Sequence, residues 1–263
     1  MEQGNRFCLL LEPPETVASR GAVLFVHAFA EEMNNSRRVA AVQARTLADA
    51  GWTVLLIDLF GCGDSSGDFG EATWPRWLAD VLEAADWLRK RTHHQPVLWG
   101  MRAGCLLVCQ AASRIAPVPA LLLWQPVVSG KQYLQQFLRL KVAQQIVAAT
   151  GEQFTGTAEL RQRLTAGETL EIAGYALSAA LATELERAEL QPPSTATRVV
   201  WVEISRGSDL SPATQKNVQR WRDAGNEVKP HVVAASAFWQ IPGIGECPSL
   251  VETTSAALAA FRT

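Results

Sequence analysis

Val97-Leu98-Trp99-Gly100-Met101-Arg102-Ala103-Gly104-Cys105-Leu106 reads as an apolar strand, a sharp turn and an apolar helix. Gly100 and Gly104 flank Arg102 at the spacing G-x-[nucleophile]-x-G. In a nucleophile elbow the middle residue is a serine held exposed on a strained strand-to-helix turn. Here it is an arginine. A guanidinium stays protonated at any working pH and cannot attack a carbonyl. The stretch announces an architecture built to display a nucleophile and leaves the nucleophile out.

Outward from this stretch the chain alternates. Apolar runs at 22–27, 52–59, 120–124 and 198–204 suit strands buried on both faces of a parallel sheet. A weaker run at 228–235 carries Pro230 near its start, and residues 6–12 form an early peripheral strand ended by Pro13-Pro14. Helical patterns separate them at 37–50 (Ser36 as cap, Gly51 as stop), 74–91, 212–224 and 250–261. The alternation predicts an α/β fold with a mostly parallel sheet and helices on both faces. Functional loops then lie at the carboxyl ends of the strands. His27, Asp58, Arg102, Gln125 and Asp209 stand at or just after such ends.

The composition changes after Gly130. Residues 131–195 hold no strand-like run. They carry Gln- and Ala-rich amphipathic patterns at 133–149 and 178–190, while 168–175 fits either helix or strand. This predicts a core from 1–130 and 196–263, with 131–195 as a helical cap insertion over the sheet's carboxyl edge.

With 19% charged and 48% apolar residues the chain is globular, not disordered. A net charge of −2 gives no general attraction for nucleic acid or anionic lipid. No apolar run approaches the ~20 residues of a membrane span, and the run at 7–11 is too short for a signal-peptide core. A cytoplasmic protein is expected. The five cysteines are odd in number and form no CxxC. Cys105 and Cys109 are four apart without a histidine to complete a metal site, so buried thiols in a reducing compartment, no metal and no cofactor are expected.

Taken together, the segments resemble the α/β-hydrolase fold over nearly the whole chain. His27-Ala28-Phe29 matches the family's His-Gly oxyanion segment. Asp58-Leu59-Phe60-Gly61-Cys62-Gly63-Asp64-Ser65 matches the D-x-x-G-x-G-x-S turn. Gly100 to Gly104 matches the elbow, and Asp209 stands where the family's acid usually stands. Within that fold the chain resembles the exosortase A system-associated hydrolases, of the type called hydrolase 2. The features are Arg102 in the elbow, the segment Glu171-Ile172-Ala173-Gly174-Tyr175, and Phe238-Trp239-Gln240 in the last loop. The resemblance implies a bacterial system that links envelope protein sorting to exopolysaccharide production, and a protein partner within it.

A hydrolytic triad needs a nucleophile, a histidine to take its proton and a carboxylate to orient the histidine. The equivalent positions here are Arg102, Trp239 and Asp209; the last loop, 235–240, has no histidine. His93 and His94 precede the elbow strand at its wrong end. His231 lies eight residues before Trp239, on the order of 20 Å from the active edge at the rise of a strand. His27 is at the correct edge, either ordering its loop or serving as an improvised base. Ser65 and Ser66 read as turn residues, Asp58 as an anchor of its turn, and Cys62 and Cys105 as thiols without a paired histidine.

Arg102 itself admits three readings. It forms a salt bridge to Asp209; or it joins the amides of Ala103, Ala28 and Phe29 and the helix dipole in a site for a carboxylate or phosphate, beside Gln125; or the motif is misaligned. Trp124, Trp239, Phe238, Tyr175 and Phe29 are core residues or line an apolar pocket. The leading functional expectation is a protein without Ser-His chemistry that binds or scaffolds, taking an anionic or acyl small ligand. The alternative is an ester or thioester hydrolase or acyltransferase with an unorthodox site, Arg102 stabilising charge and His27 or Cys105 recruited.

Overall fold

A computed structural model describes residues 4–115, 117–148, 156–241, 243 and 245–261. Glu2 and the last residue of the helix expected at 133–149 lie outside them. In chain order the strands are β1 (Cys8–Leu11), β2 (Gly21–Val26), β3 (Trp52–Ile57), β4 (Pro96–Met101), β5 (Ala120–Trp124), β6 (Leu170–Ile172), β7 (Tyr175–Leu177), β8 (Arg198–Ser205) and β9 (Glu227–Ala234). The helices are α1 (Glu31–Asp49), α2 (Trp74–Thr92), α3 (Gly104–Ile115), α4 (Gly130–Ala148), α5 (Thr157–Thr165), α6 (Ala179–Arg187), α7 (Pro212–Asp223) and α8 (Pro248–Ala259).

Seven strands form one sheet in the order β1-β3-β2-β4-β5-β8-β9. Only β1 is antiparallel, paired with β3 at the edge; the other pairs are parallel. Every residue of β2, β4 and β5 is buried, as unbroken apolar runs require when helices cover both faces. Leu24, Leu98 and Leu121 pack with residues of α2 and α3 on one face; Val23, Trp99 and Leu122 pack with α1 and α8 on the other. Pro230 sits in β9, an edge strand, where a missing N–H costs no ladder bond to a further neighbour. Among the described residues no helix is long and apolar enough to cross a membrane.

Two expectations need correction. First, α1 begins at Glu31, six residues before the expected start at 37. Ser36 is not its cap. It is buried inside the helix, where its hydroxyl donates to the carbonyls of Glu32 and Met33. The true cap position is Ala30, at φ 52°, with no capping side chain. Second, the segment between β5 and β8 is not wholly helical. Residues 168–175 enter a hairpin in which Ile172 faces Tyr175 across Ala173 and Gly174, both at positive φ. Two successive positive-φ residues fit the primed turns that a two-residue hairpin favours.

Candidate functional site

The elbow is built by close approach. Arg102 sits at φ 54° between β4 and α3, a left-handed conformation few side chains adopt without cost. A Cβ on Gly100 would stand 2.8 Å from the backbone of Cys105. A Cβ on Gly104 would run into the carbonyls of Val26 and His27. The Arg102 N–H donates to the carbonyl of Trp124 at the end of β5 (3.0 Å), and its own carbonyl accepts from Cys105 and Val127.

The side chain turns toward α1, not toward the loop after β8. Nε and Nη2 of Arg102 donate to the Glu32 carboxylate in three contacts of 3.2–3.3 Å. Nη1 reaches the carbonyl of Gln125 at 3.4 Å. The Tyr133 hydroxyl donates to the second Glu32 oxygen at 2.9 Å. The guanidinium carbon lies 5.6 Å from the Tyr133 ring centre and 5.1 Å from that of Trp239. Burial opposes the charge on Arg102, but Glu32 and then Tyr133 outweigh it and push the guanidinium's pKa up. Burial, with Glu32 beside it, likewise holds the Tyr133 phenol well above its ordinary value. Glu32 also stands in the first turn of α1, where the helix dipole favours a carboxylate.

The expected Arg102–Asp209 salt bridge is therefore corrected: Glu32 takes the guanidinium, while Asp209 is exposed and accepts from its neighbour Ser208. The buried acid at this end of the sheet is Glu203, within β8, which receives the Ser211 N–H and so ties down the loop that follows the strand.

The first turn of α1 gathers the rest of the site. Besides the Glu32 contacts, Asn34 donates to the Tyr175 hydroxyl at 2.8 Å and Asn35 to the Trp239 carbonyl at 2.9 Å. Elbow, inserted segment and last loop are all tied to this one turn. Above it opens a cleft of about 830 Å³. Its floor holds Glu31, Glu32 and Arg102; its walls include Tyr133, Phe137, Leu140, Ala173 and Trp239.

Of the residues expected around a ligand, Arg102 lines this cleft. His27, Ala28, Phe29 and Ala103 border a separate void of only about 10 Å³, about the least room one water needs. Phe29 is sealed by edge contacts to Phe69, Trp77, Tyr133 and Phe137 at 5.1–5.9 Å. Gln125 faces backbone, its side-chain oxygen accepting from the Ile204 N–H. The anion site expected at the elbow amides thus does not converge: Arg102 lines the cleft, Ala28, Phe29 and Ala103 line the small void, and Glu32 already neutralises the cation. Trp124 is fully buried with its indole N–H on Thr254, and Phe238 is core. Trp239 alone of the five expected aromatics lines the cleft.

The substitute catalysts are all committed elsewhere. His27 Nδ1 donates to the carbonyl of Ala28 at 2.7 Å and Nε2 accepts the Leu59 N–H at 3.2 Å. Both ring nitrogens are used, and burial lowers the pKa, so the ring is neutral and orders the loop. None of the four histidines lines the cleft; His231 lies in the body of β9 and His93 ends α2. Ser65 accepts the Phe7 N–H and Ser66 the Asn5 N–H, tying the N-terminal strand to the turn. Asp58 pairs with Arg37 at 2.7 Å and accepts the Asp64 N–H. Among the described residues no cluster could hold a metal ion.

Burial pushes the thiols of Cys62, Cys105 and Cys109 far up. Cys8 reaches the surface, but partial burial of its thiol, with Asp58 and Asp80 nearby, pushes its pKa up to about 11. A raised thiol pKa lowers the thiolate fraction at neutral pH, and the thiolate is the nucleophile. Iodoacetamide at pH 8 is expected to label Cys8 slowly, faster as pH rises toward 11, and the other four only in denaturant. Rapid native labelling of Cys105, read by peptide mass mapping, contradicts this assignment.

The fold has many solved relatives. The chain matches Est1E from Butyrivibrio proteoclasticus, solved with ferulic acid bound, at 14% identity and a TM-score of 0.68, covering 98% of this chain and 96% of that one. It matches XC6422 from Xanthomonas campestris, an α/β serine hydrolase without a lid, at 16% identity and a TM-score of 0.52, covering 98% of this chain and 95% of that one. A proline iminopeptidase from Mycobacterium smegmatis matches at 16% identity and a TM-score of 0.52, covering 98% and 94%. These likenesses show an α/β-hydrolase fold. No curated protein matches the chain. The family model described as serine aminopeptidase, S33, matches residues 17–180, more than half of the chain, which therefore belongs to that family.

Proposed function

We propose that this chain is a non-hydrolytic member of its family, a binding or scaffolding protein that holds an acyl or other apolar-chain ligand in the cleft above Glu32 and Arg102. One observation carries the reading: the nucleophile position holds an arginine locked to Glu32, and no histidine lines the same cleft. Two separate parts of the triad are missing, and neither is replaced. The apolar wall of Tyr133, Phe137, Leu140 and Trp239 suits a hydrocarbon chain.

We further propose that it works in the cytoplasm, in an exosortase and exopolysaccharide system with a protein partner there. The support is the sequence resemblance, together with the placement of its three segments. Arg102, Ala173, and Trp239 with Gln240 come from distant parts of the chain and line one cleft. Five free cysteines fit a reducing compartment.

The test is a panel of para-nitrophenyl esters and acyl thioesters of short and medium chain. The wild-type protein and Arg102→Ser are both expected to match the buffer blank, because a serine at this position finds no base. Turnover that disappears in His27→Ala or Cys105→Ala would establish the unorthodox enzyme instead.

A further inference from the structure

If the cleft is a ligand site, as proposed above, its charge selects the occupant. Glu31, Glu32 and Arg102 are the charged residues among its described lining. Glu32 and Arg102 cancel, and the remaining guanidinium nitrogen is taken by the Gln125 carbonyl. That leaves Glu31. Its Oε2 is buried without a hydrogen-bond partner, so it is an acceptor that lacks a donor. Burial, with Glu32 beside it, raises its pKa. Phe137, Leu140, Ala143 and Ala173 supply apolar wall.

We propose that the cleft takes an amphiphile with a protonated primary amine as its head and an apolar chain as its tail, Glu31 receiving the head. An ammonium brings up to three N–H donors and a charge opposite to the floor's excess. A carboxylate or phosphate would instead place a third acidic group beside Glu31 and Glu32. This reverses the ligand charge expected from an arginine at the elbow, because Glu32 has already spent that arginine.

The experiment is calorimetric titration at pH 7.5 with octylamine, octanol and octanoate, which share a chain and differ in the head. Octylamine is expected to bind at least about tenfold more tightly than octanoate, the scale of one charge contact partly screened by water. Glu31→Gln keeps the shape and removes the charge, and is expected to shrink that ratio to about threefold or less. Octanoate or octanol binding as tightly as octylamine overturns the proposal, as does a full amine preference in Glu31→Gln. The wild-type ranking decides by itself if the variant does not fold. Binding of none of the three overturns the ligand-site reading as well, so the two failures are distinguishable.

Discussion

Replacing Glu32 with alanine is expected to cost about 3–5 kcal/mol of folding stability, the penalty for stranding a buried charge. The side chains of Arg102 and Glu32 are 11% and 8% exposed, so the little water that reaches them from the cleft replaces the carboxylate poorly. The truncation also leaves the Tyr133 hydroxyl without its acceptor. For a domain of this size that loss is a fall of roughly 10 °C in Tm. Removing both charges is a different experiment. Arg102→Met with Glu32→Leu replaces the pair by apolar side chains of similar size, and is expected to recover most of the loss, short of wild type by the roughly 1–3 kcal/mol of a Tyr133 hydroxyl still without its acceptor. The asymmetry between single and double variants is the signature of a pair kept for its arrangement more than for its net stabilisation. Thermal and guanidinium melts of the three proteins read it directly. A Glu32→Ala protein that melts within about 2 °C of wild type shows that something else neutralises Arg102.

The elbow and the sheet were legible because steric demands leave residue patterns. Gly100 and Gly104 mark backbone contacts too close for a Cβ, and the runs in β2, β4 and β5 mark burial on both faces. The partner of Arg102 was not legible, and the cause is local. Ser36 followed by an amphipathic pattern is a good capping signal, so Glu31 and Glu32 read as loop. In the structure Ala30 provides the break through its φ of 52°, a conformation that an alanine does not advertise. The usable signal was the acidic pair itself, since Glu is favoured in a first helical turn. Asp209 misled for the opposite reason. Its place in the chain matches a catalytic acid, but Glu203 binds the Ser211 N–H and leaves Asp209 on the surface. Sequence order locates a loop at the sheet edge; which side chain turns inward depends on hydrogen bonds formed only after folding.

Gly104→Ala is the second large effect. The added Cβ would lie within 3.0 Å of the backbone carbonyls of both Val26 and His27. Backbone cannot swing aside as the end of a flexible side chain can. The cost is expected at the upper end of overpacking penalties, about 3 kcal/mol, with α3 displaced from the end of β2. Gly207→Ala is the matched control, because the nearest atom to its Cβ would be the Ser205 hydroxyl at 3.7 Å; its effect is expected within about 0.5 kcal/mol. If the two variants melt alike, α3 does not depend on close approach to β2. The expected difference carries a further consequence. In a hydrolase the two glycines are usually explained by the nucleophile they present. Here the residue between them is an arginine bonded to Glu32, and the same contacts with β2 and Cys105 still require them. The glycine spacing therefore reports how a helix is seated on a parallel sheet, and it persists in a chain that carries an arginine where the elbow would present a nucleophile.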